Sequence, residues 1–251
     1  MALKNFVKSI ISKSGYNITK KSTSTFPIDY ATHEIEIIKM VKPYTMTSHQ
    51  RIQSLIRSVE YIIQSNVGGD FVECGVWKGG SIMTIALTLK RLKTENRDIF
   101  LYDTFSGMST PTGSDVDWHG KSALKTFNEL KTNDGSNWCR SSIDEVKNNI
   151  LTTNYPQEKI HYVQGKVEET LRKFTPEKIA LLRLDTDFYE STKSEMEHLF
   201  PKLTEGGILI IDDYGTWKGS RLAIDEYFEK NNLKLFLNRI DETGRLAVKI
   251  D

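Results

Sequence analysis

The sequence predicts an α/β fold: a doubly wound, mostly parallel sheet of seven strands that ends in an antiparallel hairpin, with a helical lid before it. Three observations predict it. From Gly68 onward, short apolar runs alternate with amphipathic stretches of helical period, the pattern of strands wound with helices. Two of those runs, Ile179-Ala-Leu-Leu and Ile208-Leu-Ile-Ile, lead into aspartates, and ligands bind at the carboxyl ends of strands in open sheets. The last two strands are joined only by Asp241-Glu-Thr-Gly244, too short for a crossover.

Taken in order, residues 1–66 read as a helical lid or oligomerisation segment and residues 67–251 as the catalytic domain. The first stretch, MALKNFVKSIISKSGYNITKK, is mildly basic and amphipathic. It reads as a surface helix, or as one that packs on a partner. Thr32–Val41 has apolar positions at helical spacing, and Pro43 stops it. Ser48 can cap a second helix, whose apolar face is Ile52, Leu55, Ile56, Val59 and Ile62. Tyr44–Ser48 is then a polar link between the two. The expected strands are Phe71–Cys74, Ile99–Tyr102, Ile160–Val163, Ile179–Leu184, Ile208–Ile211, Leu233–Leu237 and Leu246–Ile250. Helices are expected over Ser81–Leu92, Val167–Phe174, Thr192–Leu199 and Leu222–Asn231. Residues 106–142, rich in Gly, Ser, Asp and Trp, read as one long irregular loop, and loops of that length are usually functional or disordered. No repeat or low-complexity tract is present. A parallel sheet closed by a hairpin fits the methyltransferase (Rossmann-like) variant of the doubly wound fold better than the dinucleotide-binding one.

The bulk numbers exclude several classes. Lys and Arg total 34 against 33 Asp and Glu, so the net charge of +1 gives no reason to expect nucleic acid or an anionic membrane as partner. The two cysteines, Cys74 and Cys139, have no zinc or disulfide spacing, which makes a reduced, cytoplasmic setting the default. No apolar run reaches the length of a membrane span, and no signal peptide is read.

Four groups of residues carry the candidate chemistry. Glu73-Cys-Gly75-Val-Trp-Lys-Gly79-Gly80-Ser81 is a strand end, a glycine turn and a helix start. Glycine lets a ligand approach the backbone, and a helix start favours a carboxylate. The acid Glu73 would repel a pyrophosphate but attract the ammonium and sulfonium of S-adenosylmethionine. The plain alternative is a tight strand-to-helix turn. Asp103, in Asp103-Thr104-Phe105, suits a ribose diol, or else caps a loop. Gln164 and Gly165 end the third strand, where an adenine ring lies in such folds. Asp185, Asp212 and Asp213 are read as converging on a divalent cation, because buried carboxylates are costly unless paired or metal-bound. A lone Asp-Asp pair is otherwise a solvated turn or cap. His49, His119 and His198 read as surface, loop or structural histidines, and Trp118 and Trp138 as packing before sugar stacking. Lys218 and Arg221 read first as a solvated helix start and second as substrate contacts.

Tyr44-Thr-Met-Thr, Val72-Glu-Cys-Gly-Val-Trp-Lys-Gly-Gly-Ser, Leu101-Tyr-Asp-Thr-Phe-Ser-Gly, Leu184-Asp-Thr-Asp-Phe-Tyr-Glu-Ser-Thr and Gly206-Gly-Ile-Leu-Ile-Ile-Asp-Asp-Tyr-Gly together resemble the macrocin O-methyltransferase (TylF) family. The resemblance runs from about residue 44 to 230 and leaves out the long loop and residues 1–30. It implies magnesium-dependent methylation of sugar hydroxyls by S-adenosylmethionine, on acceptors such as macrolide and aminocoumarin sugars. It implies Asp185, Asp212 and Asp213 as metal ligands and Asp187 as general base. It also makes Tyr44, Met46 and Thr47 part of a lid over the cofactor. Three carboxylates are hard oxygen ligands suited to Mg2+. Because lids in the family can be shared between subunits, a homodimer or larger assembly is expected. A catechol-type methyltransferase acting on a phenolic diol shares the metal logic. A nicotinamide-dependent oxidoreductase is disfavoured by Glu73 and the hairpin, and a vestigial binding protein by the four aspartates.

Overall fold

The computed structural model describes residues 26–250. The amphipathic stretch expected over residues 1–21 lies outside the described residues. The chain divides into two compact units, Met1–Ile35 and Glu36–Asp251. In the first, Phe26 and Tyr30 meet edge to face at 5.6 Å, and the Ala31 amide donates to Glu34 Oε2 at 2.8 Å. Helix α1 (Thr32–Val41) starts in this unit and ends in the second, where Lys42–Tyr44 adds one 3-10 turn.

Helix α2 (His49–Gln64) starts where expected: Ser48 Oγ accepts from the Arg51 amide and satisfies one of the free donors of the first turn. Its stripe of Ile52, Leu55, Ile56, Val59 and Ile62 is buried. The helix lies on helix α3 (Gly80–Arg91) and on two strands of the sheet. Those strands are β6 (Ile179–Leu184) and β7 (Leu203–Ile211). The rest of the sheet is β1 (Asp70–Cys74), β2 (Ile99–Asp103), β5 (Ile160–Gln164), β8 (Asn238–Arg239) and β9 (Arg245–Val248). Its order is β5-β2-β1-β6-β7-β9-β8; the first five are parallel, and β9 runs antiparallel to both its neighbours, β7 and β8. The chain builds outward from β1 on one side, then returns to build β6 and β7 on the other. The crevice at this switch point lies between the carboxyl ends of β1 and β6.

Strands β1 and β6 are buried on both faces, which is why their buried positions are apolar apart from Glu73 and Arg183. Helices α6 (Val167–Thr170), α7 (Tyr189–His198) and α8 (Lys218–Lys230) cover the sheet on the side of Val72, Leu182, Leu209 and Ile211.

The structure departs from the sequence expectations in three places. Leu233–Leu237 is not a strand: Leu233, Leu235 and Leu237 pack against the core without a ladder, and the hairpin strand is Asn238–Arg239. Residues 106–142 are not wholly irregular. They hold helix α4 (Ala123–Leu130) and a two-stranded ribbon, β3 (Lys131–Thr132) with β4 (Gly135–Ser136). Helices α7 and α8 begin three and four residues before the expected starts at Thr192 and Leu222, while α6 stops at Thr170, short of Phe174. Helix α5 (Ile143–Leu151) follows the loop, capped by Ser142 Oγ on the Glu145 amide.

Candidate active site

Three strand tips place the acids. In the parallel ladder Cys74 pairs with Leu184, and Leu184 with Ile211. The next residues on the last two strands are Asp185 and Asp212. Their amides donate to Cys74 O and Leu184 O, each at 2.9 Å, so the ladder extends one step and fixes both backbones. Asp185, Asp212 and Asp213 can each offer an oxygen such that all three lie within 4.8 Å of one another. Asp187 sits beside them on a left-handed backbone, φ 70°. All four aspartates line one cleft of about 280 Å³.

Two arginines organise the cluster, and neither was singled out as a site residue from the sequence. Arg183, 2% exposed, lies among Glu73, Asp185 and Asp212. Its Nη1 donates to Glu73 and to Asp185 Oδ2 at 2.7 Å, and its Nη2 to Asp212 Oδ1 at 2.6 Å. Arg51 reaches in from α2 to Asp212 and to Thr243, and its Nε holds Asp241 Oδ2 at 2.8 Å. A charge inside the run LLRL demands buried partners, and that is the signal that would have found Arg183. Arg51 has no comparable signal, because its partners are remote in sequence.

The arginines do not neutralise the cluster. Glu73, Asp185 and Asp212 share two guanidinium groups, Arg51 also serves Asp241, and Asp187 and Asp213 have no ion pair among the described residues. Glu73 Oε2 and Asp213 Oδ2 are buried without a hydrogen-bond partner. Burial pushes Glu73 up to about 7 against the pull of Arg183. The protein packed round Asp187 pushes it up to about 7 as well, with Asp185 and Asp212 adding to the rise. Burial and the facing Asp187 hold Asp213 well above the ordinary carboxylate range. Surplus negative charge, hard oxygen donors and an orphaned carboxylate oxygen are what a divalent cation site presents.

The glycine turn shapes the next part of the cleft. Gly75 has φ +81°, and a Cβ there would run into the Asp185 carbonyl oxygen. A side chain at Gly80 would meet Tyr44 O at 2.6 Å. Glycine at that position therefore lets the lid link, Tyr44–Thr47, lie directly on the start of α3. Tyr44, Met46, Thr47, Gly80, Ser81 and Glu73 line the acid cleft. Asp103, at the tip of β2, accepts from the Val76 amide at 2.6 Å and the Phe105 amide at 2.7 Å, so it caps the glycine turn. It also lines a narrow cavity with Gly75, Thr104, Gly165 and Asp185. A further small cavity, walled by Gly75, Asp103, Asp185 and Asp187, adjoins both. Phe105 turns its ring toward Tyr162 at 6.5 Å, and Gln164 lines a separate hollow with Lys166.

Trp138, Phe188 and Trp217 pack edge to face at 5.6 to 5.9 Å. Trp138 and Trp217 form one wall of the acid cleft. Trp217 was not read from the sequence as a site residue; Trp138 was read as packing before sugar stacking, and here it packs on Phe188 and Trp217 while lining the cleft. His119 stands beside Trp118 in the loop, and His198 bonds Ser194 O of its own helix at 2.8 Å.

A profile of the Macrocin-O-methyltransferase (TylF) family matches residues 8–248. Demethyldecarbamoylnovobiocin O-methyltransferase of Streptomyces niveus is 30% identical over 201 residues, 80% of this chain and 74% of that relative. Mycinamicin III 3''-O-methyltransferase of Micromonospora griseorubida is 28% identical over 201 residues, 80% of this chain and 76% of its own. Among solved structures, the O-methyltransferase NovP is similar with a TM-score of 0.74 at 28% identity, covering 83% of both chains.

Proposed function

The chain belongs to the macrocin-O-methyltransferase (TylF) family, and from that premise we propose that it transfers a methyl group from S-adenosylmethionine to a sugar hydroxyl of a glycan or natural product, with Mg2+ at the acid cluster. The observation that carries the reading is the convergence of Asp185, Asp212 and Asp213 in a cleft that also contains the glycine turn.

Gly75, Gly80, Ser81, Asp103, Thr104 and Gly165 are the residues that would hold the donor, with Tyr44, Met46 and Thr47 over it. Glu73 and the start of α3 supply opposite charges for the ammonium and carboxylate of its amino-acid end. Mg2+ held by the three aspartates would lower the pKa of an acceptor hydroxyl and fix its direction. In this reading Asp187 takes the proton, a step that contributes about 10²–10⁴-fold. Arg183 keeps Glu73, Asp185 and Asp212 in register as a positioning residue. Trp138 and Trp217 offer apolar faces to a sugar ring and keep water from the donor methyl. Residues 1–66 are read as lid and oligomerisation segment, to be checked by sedimentation of the whole chain.

The test is transfer of labelled methyl from S-adenosylmethionine to a panel of sugars, glycosides and phenolic diols, with Mg2+ and with EDTA. Transfer to glycosides that EDTA removes is the expected result. Full activity in EDTA, or transfer to diols alone, overturns it. Asp187→Asn is expected to lower kcat by about 10²–10⁴ while S-adenosylhomocysteine binds as before. Asp212→Ala is expected to abolish turnover.

A further inference from the structure

A second cavity, of about 490 Å³, shares Trp217 with the aspartate cleft, and its lining is basic. Lys218, Arg221, Arg239 and Arg245 face it, against the single acid Glu242. Arg221 has a partner, Asp225, at 3.2 Å. Lys218, Arg239 and Arg245 have no carboxylate at ion-pair distance among the described residues. Arg239 and Arg245 are moreover directly opposite one another in the β8–β9 ladder, a cross-strand placement that like charges destabilise.

Arg245 is the most telling member. It is only 9% exposed, yet its polar contacts are a carbonyl, Gly244 O at 2.8 Å, and the Tyr214 ring at 5.4 Å. A desolvated guanidinium with a second one beside it and no carboxylate at ion-pair distance is costly unless a ligand supplies the negative charge. The first turn of α8 opens on the same cavity with Lys218 and Arg221, and its N-cap residue, Trp217, offers no side-chain acceptor. The positive end of that 13-residue helix adds to the field.

Trp217 is common to the two cavities. The two cavities therefore adjoin at that ring. We propose that the acceptor is a phosphorylated sugar, with its phosphate or diphosphate bound by Arg239, Arg245, Lys218 and Arg221. This rests on the sugar methylation proposed above and names the class of sugar. The same diphosphate occurs in a nucleoside diphosphate sugar and in a lipid-linked one. Trp118, 55% exposed at the rim, offers a face on which a nucleobase can stack.

The experiment is calorimetric binding to the full chain saturated with S-adenosylhomocysteine, using inorganic pyrophosphate, UDP and farnesyl diphosphate as probes. Pyrophosphate is expected to bind, and more weakly as salt rises. The exposed-site variants Arg239→Ala and Lys218→Ala are each expected to weaken it at least about fivefold, and Arg245→Ala further if it folds. Lys230→Ala, at the other end of α8, is expected to leave binding unchanged. Tighter binding of UDP than of pyrophosphate, lost in Trp118→Ala, supports the nucleotide source; tighter binding of farnesyl diphosphate supports the lipid-linked one. No pyrophosphate binding, or equal binding by wild type and Arg239→Ala, overturns the proposal. Labelled methyl transfer to neutral glycosides would then still stand, so failure of this pocket is separable from failure of the proposed reaction.

Discussion

Arg183 decides how the acid cluster survives burial. One guanidinium fixes carboxylates from three strands, and removal of one member of a buried ionic group leaves the others uncompensated. Arg183→Met is therefore expected to destabilise the fold by about 3–5 kcal/mol, read as a lower midpoint in urea. Arg183→Lys keeps the charge but not the two-pronged geometry, and should recover only part of the loss. If both variants unfold like wild type, the network contributes nothing to stability. The aspartates were legible in the sequence because an apolar run that ends in acids is an energetic anomaly. Arg183 sat inside the very motif that carried the reading, yet an arginine in a strand gives no hint of which acids it meets. Asp103 was read as a ribose ligand or a loop cap: the cap on the Val76 amide is observed, and its place in the cavity wall leaves the ribose reading open to test. Gly75→Ala is expected to displace the Asp185 carbonyl, and with it the cluster, measured as loss of S-adenosylhomocysteine binding.

At the scale of elements, the turn between β8 and β9 is pinned to the start of α2. Asp241 accepts from Ser48 Oγ at 2.6 Å, Arg51 Nε at 2.8 Å and the Gly244 amide at 2.8 Å. Burial works against its charged form, but these donors outweigh it and hold the carboxyl at about 2. A carboxyl depressed by folding stabilises the native state above its ordinary pKa and loses that contribution as pH falls toward the folded value. Between about pH 4 and pH 2 the pin should therefore give up about 2 kcal/mol. Asp241→Asn should show lower stability at neutral pH and a flatter acid limb, followed by urea unfolding across that window. An unchanged acid limb would remove Asp241 from the account. The hairpin itself was read from the shortness of Asp241–Gly244. Its first strand was misplaced onto Leu233–Leu237 because alternating leucines report one-sided burial, and here they bury against the core with no neighbouring strand to pair with. The long loop was opaque for a related reason. Its helix buries only Ala123 and Phe127, too short a stripe to show a period, and its anchor is Asp115, which accepts from the Tyr189 amide at 2.8 Å, far along the chain.

At the scale of the whole molecule, the alternation of strands and helices, the closing hairpin and the strand tips that carry the crevice followed from periodicity and one short connection; the strand order was not read. Both are local patterns, so both could be read. The charge balance of the crevice could not, because it is settled by residues drawn from α2, β1, β6, β7 and the hairpin. That balance carries the remaining prediction. The cluster holds more carboxylate than its two arginines compensate, with Asp213 Oδ2 buried and unpartnered. A cation that binds only the folded chain stabilises it by about 2.7 kcal/mol at a hundredfold excess over Kd. For a chain of this length that corresponds to a rise in Tm of about 5–11 °C. Thermal unfolding in saturating Mg2+ should show this shift, and EDTA should reverse it. Asp213→Asn should lose the shift while remaining folded without Mg2+, since removing a crowded carboxylate relieves repulsion among the rest. A Tm indifferent to Mg2+ would mean that Arg51 and Arg183 complete the cluster by themselves and that the aspartates serve the fold alone.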